Sequence, residues 1–175
     1  NMDCALFLSK VIHTDLTIGN ATAWQFWNAY EPGSAEFDTR YYLIALHPEK
    51  DFKNGEFSIT KNLWALGHYS RFVRPGMTRL LTEHNLKDKK EDKQTDLMVS
   101  AYIDHKNKLV VVGTNYSDSP LQVKLDLKNV KKKYRYATRY LTTDAKDIDM
   151  KPEGLKNHGG VITLPARSIS TIVMN

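Results

Sequence analysis

Residues 64–76 read WALGHYSRFVRPG, an aromatic-rich run that stops at Pro75-Gly76 and separates two parts of the chain with different character. Just before it, Thr60 is a residue type whose side-chain oxygen can cap a helix. Leu63, Leu66, Tyr69 and Val73 then recur on one side, with Trp64 and Phe72 nearby. This spacing predicts a helix over about 61–73. Proline cannot donate to a helical ladder and glycine tolerates backbone that other residues avoid, so Pro75-Gly76 predicts its end.

Beyond residue 76 the apolar period becomes two. DLMVSAYID at 96–104 and KLVVVGTNY at 108–116 flank the short connection His105–Asn107 and predict a hairpin. LQVKLDL at 121–127 places Leu121, Val123, Leu125 and Leu127 on one face, and Gln122, Lys124 and Asp126 on the other. YRYATRYLT at 134–142, GVITL at 160–164 and SISTIVM at 168–174 complete a run of short strands that predicts an antiparallel sandwich. Gly159-Gly160 reads as the turn before VITL, and the lysine-rich NLKDKKEDKQTD at 85–96 as a mobile, solvated loop.

Upstream, Leu6, Leu8, Val11, Ile12 and Leu16 fall near a 3.6-residue period and predict a helix over 3–16, with no evident N-terminal cap. Gly19-Asn20 closes it, and the aromatic, uncharged ATAWQFW at 21–27 predicts a short buried strand. A polar connection with Pro32-Gly33 and the apolar YYLIAL at 41–46 follow. Helix, turn and buried strand is α/β grammar, yet such a strand expects parallel neighbours on either side. Residues 1–76 are too few for a barrel of about 250. The expectation is a chain that forms the C-terminal part of a larger protein, with a boundary near residue 76.

Composition narrows the function classes. With 175 residues and 41% hydrophobic content the chain can bury a core and is not disordered. Lys plus Arg exceed Asp plus Glu by 25 to 20. The positive residues are scattered except in NVKKKYRYATRY at 129–140, where Lys131, Lys132 and Lys133 sit in an alternating strand pattern. That pattern reads as a solvated face, so no nucleic-acid partner is expected. Cys4 is the lone cysteine, which rules out an intrachain disulfide and a cysteine-based zinc site. No apolar run approaches the roughly 20 residues of a membrane span, and the first residues show no signal-peptide pattern.

Carboxylate pairs are the first candidates for chemistry, because glycosidic cleavage needs one acid and one nucleophile or base. Glu31, Glu36 and Asp38 follow the predicted strand, but their spacing is unspecific and a solvated loop is the plainer reading. His13, His47, His68, His84, His105 and His158 show no HExxH or other close ligand pairing, so no metal is expected. No G-x-S-x-G elbow, P-loop or GxGxxG pattern is present, so no cofactor is expected either. Trp24 and Trp27 carry more. Flat aromatic faces pack on sugar rings, and a tryptophan where a parallel strand ends would point into a barrel's ligand site. Core packing competes with that reading for Trp24 in mid-strand, while for Trp27 at the strand edge both readings stand. Tyr134, Tyr136 and Tyr140 share a predicted strand face and could form an aromatic platform, or simply pack.

ATAWQFWNA, ITKNLWALGHYSRFVRPGMTRL, VSAYIDHKNKLVVVGTNYSDSPLQVKLDL and LPARSISTIVM, in this order, resemble the C-terminal portion of glycoside hydrolase family 30. That family includes endo-β-1,6-galactanases, glucuronoxylanases and glucosylceramidases. The resemblance implies a mixed fold: the C-terminal end of a (β/α)8 TIM barrel over 1–76, as its last helix-strand-helix portion, followed by an antiparallel side β-sandwich over 77–175. It implies a retaining O-glycosyl hydrolase whose two catalytic glutamates lie at the ends of the fourth and seventh barrel strands. Neither glutamate has a match here, so no catalytic residue is assigned and the isolated chain is expected to be inactive. Carried over as substrate-binding residues are Trp27, with Trp24 and Asn28 beside it. The implied partners are a polysaccharide or oligosaccharide substrate of the complete enzyme and the N-terminal barrel portion absent from this chain. Location would be secreted, periplasmic or cell-surface. AWQFWNA with its short polar loop leans toward β-1,6-galactan. The alternative is a non-catalytic carbohydrate-binding or structural β-sandwich module.

Overall fold

A computed structural model describes residues 1–32, 42–51, 53–86, 96–130, 132–155 and 161–175. The first helix, α1 (Met2–Thr17), buries Met2, Ala5, Leu6, Leu8, Ser9 and Ile12. It does have a cap: the Asn1 side chain accepts the Cys4 amide at 3.1 Å, serving one of the N–H groups that a first turn leaves orphaned. Asn20, at φ 51°, turns the chain away after the helix.

Residues 21–29 depart from the expectation. They form neither a strand nor a buried segment; Thr22, Ala23, Gln25 and Trp27 are exposed. A stretch becomes a buried strand through ladder partners on its edges and apolar cover on its faces, and none of the described strands lies beside it. Three short strands follow, β1 (Tyr30–Pro32), β2 (Ile44–Pro48) and β3 (Gly55–Ile59). β1 pairs parallel to β2, and β2 antiparallel to β3.

The second helix, α2 (Lys61–Ser70), is three residues shorter than expected. Thr60 stands at its N-cap, but its hydroxyl donates to the carbonyls of Tyr42 and Leu43 (3.2 and 2.9 Å) rather than capping. The buried stripe is Asn62, Ala65, His68 and Tyr69, and the predicted Leu63 and Leu66 are only half-buried beside it. Small and polar residues face the sheet here because the helix sits close to it, and the larger side chains fill the flanks.

The remaining strands are β4 (Thr78–Leu80), β5 (Leu97–Ile103), β6 (Leu109–Asn115), β7 (Leu121–Lys124), β8 (Ala137–Thr142), β9 (Lys151–Leu155), β10 (Val161–Leu164) and β11 (Ser168–Met174). Six make one antiparallel sheet in the order β4-β5-β6-β11-β8-β9, and β7 pairs with β10 separately. The predicted hairpin is β5–β6, in register from Leu97↔Asn115 to Ile103↔Leu109. β7 is shorter than the alternating run because its partner β10 offers four residues. Of the loop expected at 85–96, residues 87–95 lie outside the described residues.

Alternation in the two central strands builds two cores. Val110, Val112, Ile169 and Val173 face α1 and α2, packing with Leu6, Ile12, Ala65, Tyr69 and Phe72. Leu109, Val111, Ile172 and Met174 face the β7–β10 side, packing with Tyr134, Ile162 and Leu164. The arrangement is a β-sandwich of unequal sheets with two helices on the outer face of the larger one. The helix-side core therefore takes side chains from both sides of residue 76.

Polar joints sit inside this packing. His68 is fully buried, with Nδ1 2.8 Å from Thr171 Oγ1 and Nε2 2.9 Å from Thr142 Oγ1. The Thr171 hydroxyl donates to the His68 carbonyl at 3.1 Å, so its oxygen accepts from Nδ1–H. Nε2 then accepts from Thr142, whose oxygen accepts the Met150 amide at 2.9 Å. Every proton in the chain is used, and burial holds the ring neutral by lowering its pKa from 6.5 to about 3. At the end of β6, the Asn115 amide donates to the carbonyls of Ser119, Leu164 and Pro165 (2.9, 3.2 and 2.8 Å), while its oxygen accepts from the Ser117 amide at 3.0 Å. One side chain thus ties the β6–β7 and β10–β11 connections together.

Candidate functional site

The expected binding residues lie in the irregular segment that leaves α1. Trp24 is half-buried: its indole N–H donates to Asp15 Oδ2 at 2.8 Å, and its ring stacks on Phe26 at 6.0 Å between centroids and 14° between planes. Both rings lean on the helix-side core. With its donor used and its face stacked, Trp24 anchors the segment to α1. Trp27 instead exposes 83% of its surface, and the Trp27–Asn28 peptide bond is cis. The Asn28 amide donates to Glu31 Oε1 at 2.8 Å, while its own Oδ1 is buried with no partner among the described residues. The carbonyl of Ala29 accepts the amides of Leu43 and Ile44 (3.1 and 2.9 Å), which ties the segment to the start of β2. Of the three residues, Trp27 is the one whose aromatic face is open.

Sequence reasoning missed a second exposed apolar surface. Register places Tyr30, Ile44 and Ile59 in one row and Pro32, Leu46 and Phe57 in the next, on one face of the small sheet. Tyr30, Phe57 and Ile59 are exposed at 62%, 66% and 47%. The i, i+2 spacing of Phe57 and Ile59 was the available signal for β3. Of the three carboxylates considered, Glu31 is engaged by Asn28, and Glu36 and Asp38 lie outside the described residues.

The tyrosine platform is corrected. Tyr134 precedes β8 and is buried, its hydroxyl donating to the Asn107 carbonyl at 2.8 Å. Tyr136 is exposed at 77%, and Tyr140 packs on the other face of the sheet against Phe72, 4.6 Å between centroids. β8 begins only at Ala137, so the alternation assumed from Tyr134 onward does not hold. Lys132 lies over the Tyr134 ring at 5.7 Å, and Lys131 lies outside the described residues. A groove of about 300 Å³ between β9 and β10 is lined by Arg139, but Glu153 and the Thr163 carbonyl already engage its guanidinium. Among the described residues no group of three or more His, Cys, Asp or Glu could hold a metal ion, and no helix is long and apolar enough to cross a membrane.

No family model matches the chain. The glucuronoxylanase XynC of Bacillus subtilis (strain 168) is 26% identical over 175 residues, covering 98% of this chain and 34% of that protein. The crystal structure of a GH30 endoxylanase from Clostridium papyrosolvens C71 superposes with a TM-score of 0.68 at 25% identity, covering 100% of this chain and 39% of that one. The chain is similar to the C-terminal portion of family 30 glycoside hydrolases. A conserved exported protein from Bacteroides fragilis shares the fold at a TM-score of 0.78 and 35% identity, over 98% of this chain and 33% of its own. The chain therefore spans about a third of the length of the relatives it matches.

Proposed function

We propose that the chain is the C-terminal region of a retaining glycoside hydrolase that cleaves O-glycosidic bonds of a polysaccharide. In this reading residues 1–76 close a (β/α)8 barrel and residues 77–175 form the sandwich that buttresses it. The two glutamates of the retaining mechanism belong to the part of the family 30 length that this chain does not span, so these 175 residues are inactive alone.

The observation that carries the reading is Trp27: an indole with 83% of its surface open, on a segment anchored by Trp24 to Asp15 and by Ala29 to β2. A rigidly mounted, solvent-facing tryptophan suits the apolar face of a sugar ring. In this reading Asn28, whose amide holds Glu31, and Trp24 support the wall behind Trp27 rather than touch the sugar themselves. The likeness to a glucuronoxylanase and an endoxylanase makes xylan the first substrate to try. The lean toward β-1,6-galactan rests on the AWQFWNA stretch alone. Residues 1–175 joined to the remaining two thirds of a family 30 chain release reducing ends from glucuronoxylan or galactan, and Trp27→Ala raises KM. Absence of hydrolysis on xylan, galactan and glucosylated substrates overturns the reading.

A further inference from the structure

A second polar cluster, independent of the sugar-site reading, lies where the C-terminal half of α1 crosses the β4–β5 edge. Register fixes which side of the sheet it occupies. Tyr102 stands opposite Val110 and Ser100 opposite Val112, and both valines face the helices. Arg79 on β4 stands opposite Tyr102 and so shares that side. From the helix, Ser9 reaches the same sheet face through Thr114 Oγ1 at 2.7 Å, and His13 follows one turn later. Arg79 Nη2 donates to Asn20 Oδ1 at 2.7 Å just beyond the helix end.

Three buried polar atoms here have no hydrogen-bond partner among the described residues: His13 Nδ1, Ser100 Oγ and Tyr102 OH. Ser100 is 0% exposed and Tyr102 4%. The Tyr102 and Ser100 hydroxyls lie close enough for one to donate to the other, which leaves one hydroxyl proton and His13 Nδ1 unserved among the described residues. An orphaned buried hydroxyl costs about 1–3 kcal/mol, so the corner calls for something that accepts. Arg79 is held by a neutral amide, and no carboxylate among the described residues pairs with it. His84 and Arg79 both add to burial in disfavouring a proton on His13. The nearest acid on the helix, Asp15, already accepts from Trp24.

We propose that this corner binds an oxyanion, a carboxylate or a phosphate, held by Arg79, Tyr102, Ser100 and His13 with His84 at its rim. Water could accept from the hydroxyls, but an anion also pairs with the Arg79 guanidinium. Hydrogen-bond donors beside a guanidinium that has no carboxylate partner among the described residues match the chemistry of carboxylate and phosphate recognition.

The test is a titration of the histidine ring signals by NMR, on the 175-residue chain, in inorganic phosphate, in acetate and in chloride at matched ionic strength. Burial and its cationic neighbours lower the His13 midpoint to about 4. A bound anion raises it by about one pH unit or more, saturably. A rise in phosphate alone assigns a phosphate-type ligand, and a rise in acetate alone a carboxylate. Arg79→Gln abolishes the rise. The isosteric Tyr102→Phe weakens the anion affinity about tenfold, the loss of one hydrogen bond to a charged group. The same midpoint in all three salts, or an undiminished rise in Arg79→Gln, overturns the proposal.

Discussion

Replacing His68 by glutamine removes a titratable group from the joint between α2 and the sheet, and its effect on pH sensitivity can be worked through. The ring is 0% exposed, and both nitrogens are engaged by Thr171 and Thr142. Its pKa falls from 6.5 to about 3 because burial disfavours the cation. The unfolded chain therefore binds a proton between those limits that the folded chain refuses. Stability from this group is complete above pH 6.5 and drains as pH falls toward 3, by about 1.4 kcal/mol per pH unit. Between pH 6.5 and 5 the parent loses about 2 kcal/mol through His68. His13, lowered to about 4, adds a similar loss over the same interval. At pH 7.5 His68→Gln is less stable by about 2–4 kcal/mol, since two buried hydroxyls lose their partners. Its further loss on acidification is about 2 kcal/mol smaller than the parent's. Urea unfolding at pH 7.5 and pH 5.0 measures both differences. Equal acid losses in parent and variant, within about 0.5 kcal/mol, refute the reasoning. Should the variant fail to fold, the His68 ring signals of the parent decide: protonation above pH 5 is incompatible with the joint described.

Trp27→Ala leaves the stability of the 175-residue chain within about 0.5 kcal/mol, because the indole is largely in solvent. The same change in the longer enzyme weakens sugar binding about three- to tenfold, as read by KM. Asn115→Ala costs about 3 kcal/mol in thermal or urea unfolding, because three carbonyls from two connections lose a shared donor. At Gly55 an added Cβ would lie 2.5 Å from the His47 carbonyl oxygen and 2.7 Å from Pro48 Cα, both backbone atoms. Gly55→Ala therefore forces the β2–β3 hairpin apart, and hydrogen exchange of the Glu49 amide, bonded to Asn54 O at 2.9 Å, speeds up.

Legibility followed the range of the forces involved. The β5–β6 hairpin could be read because its strands and turn are contiguous and its alternation is set by the pleat. α1 and most of α2 were legible for the same reason, at the helical period. The Asn1 cap was not recognised, since a single residue before a helix carries no periodic signal. Residues 21–27 were misread because apolar composition signals burial only if neighbours arrive to provide it, and here Trp24 and Phe26 find cover on one side while Trp27 finds none. Tyr134, Tyr136 and Tyr140 were placed on one face by assuming an unbroken strand, whereas the chain becomes a strand only at Ala137. Of the candidate site, Trp27 was visible as an edge aromatic, but Tyr30 and Phe57 were not, because β1 and β3 acquire a common face only through pairing with β2.

Local spacing sets the period changes along this chain: helical at α1 and α2, twofold after Pro75-Gly76, with the turn residues that punctuate both. These depend on side-chain spacing along a single element and on backbone sterics at proline and glycine. Long-range packing makes His68 a buried strut rather than a helix-surface residue, lets Trp24 anchor while Trp27 presents its face, and sets Arg79 opposite Tyr102. Each of those outcomes depends on what lies opposite. The partners of His68 are 103 and 74 residues away in the chain, separations across which no local pattern carries information.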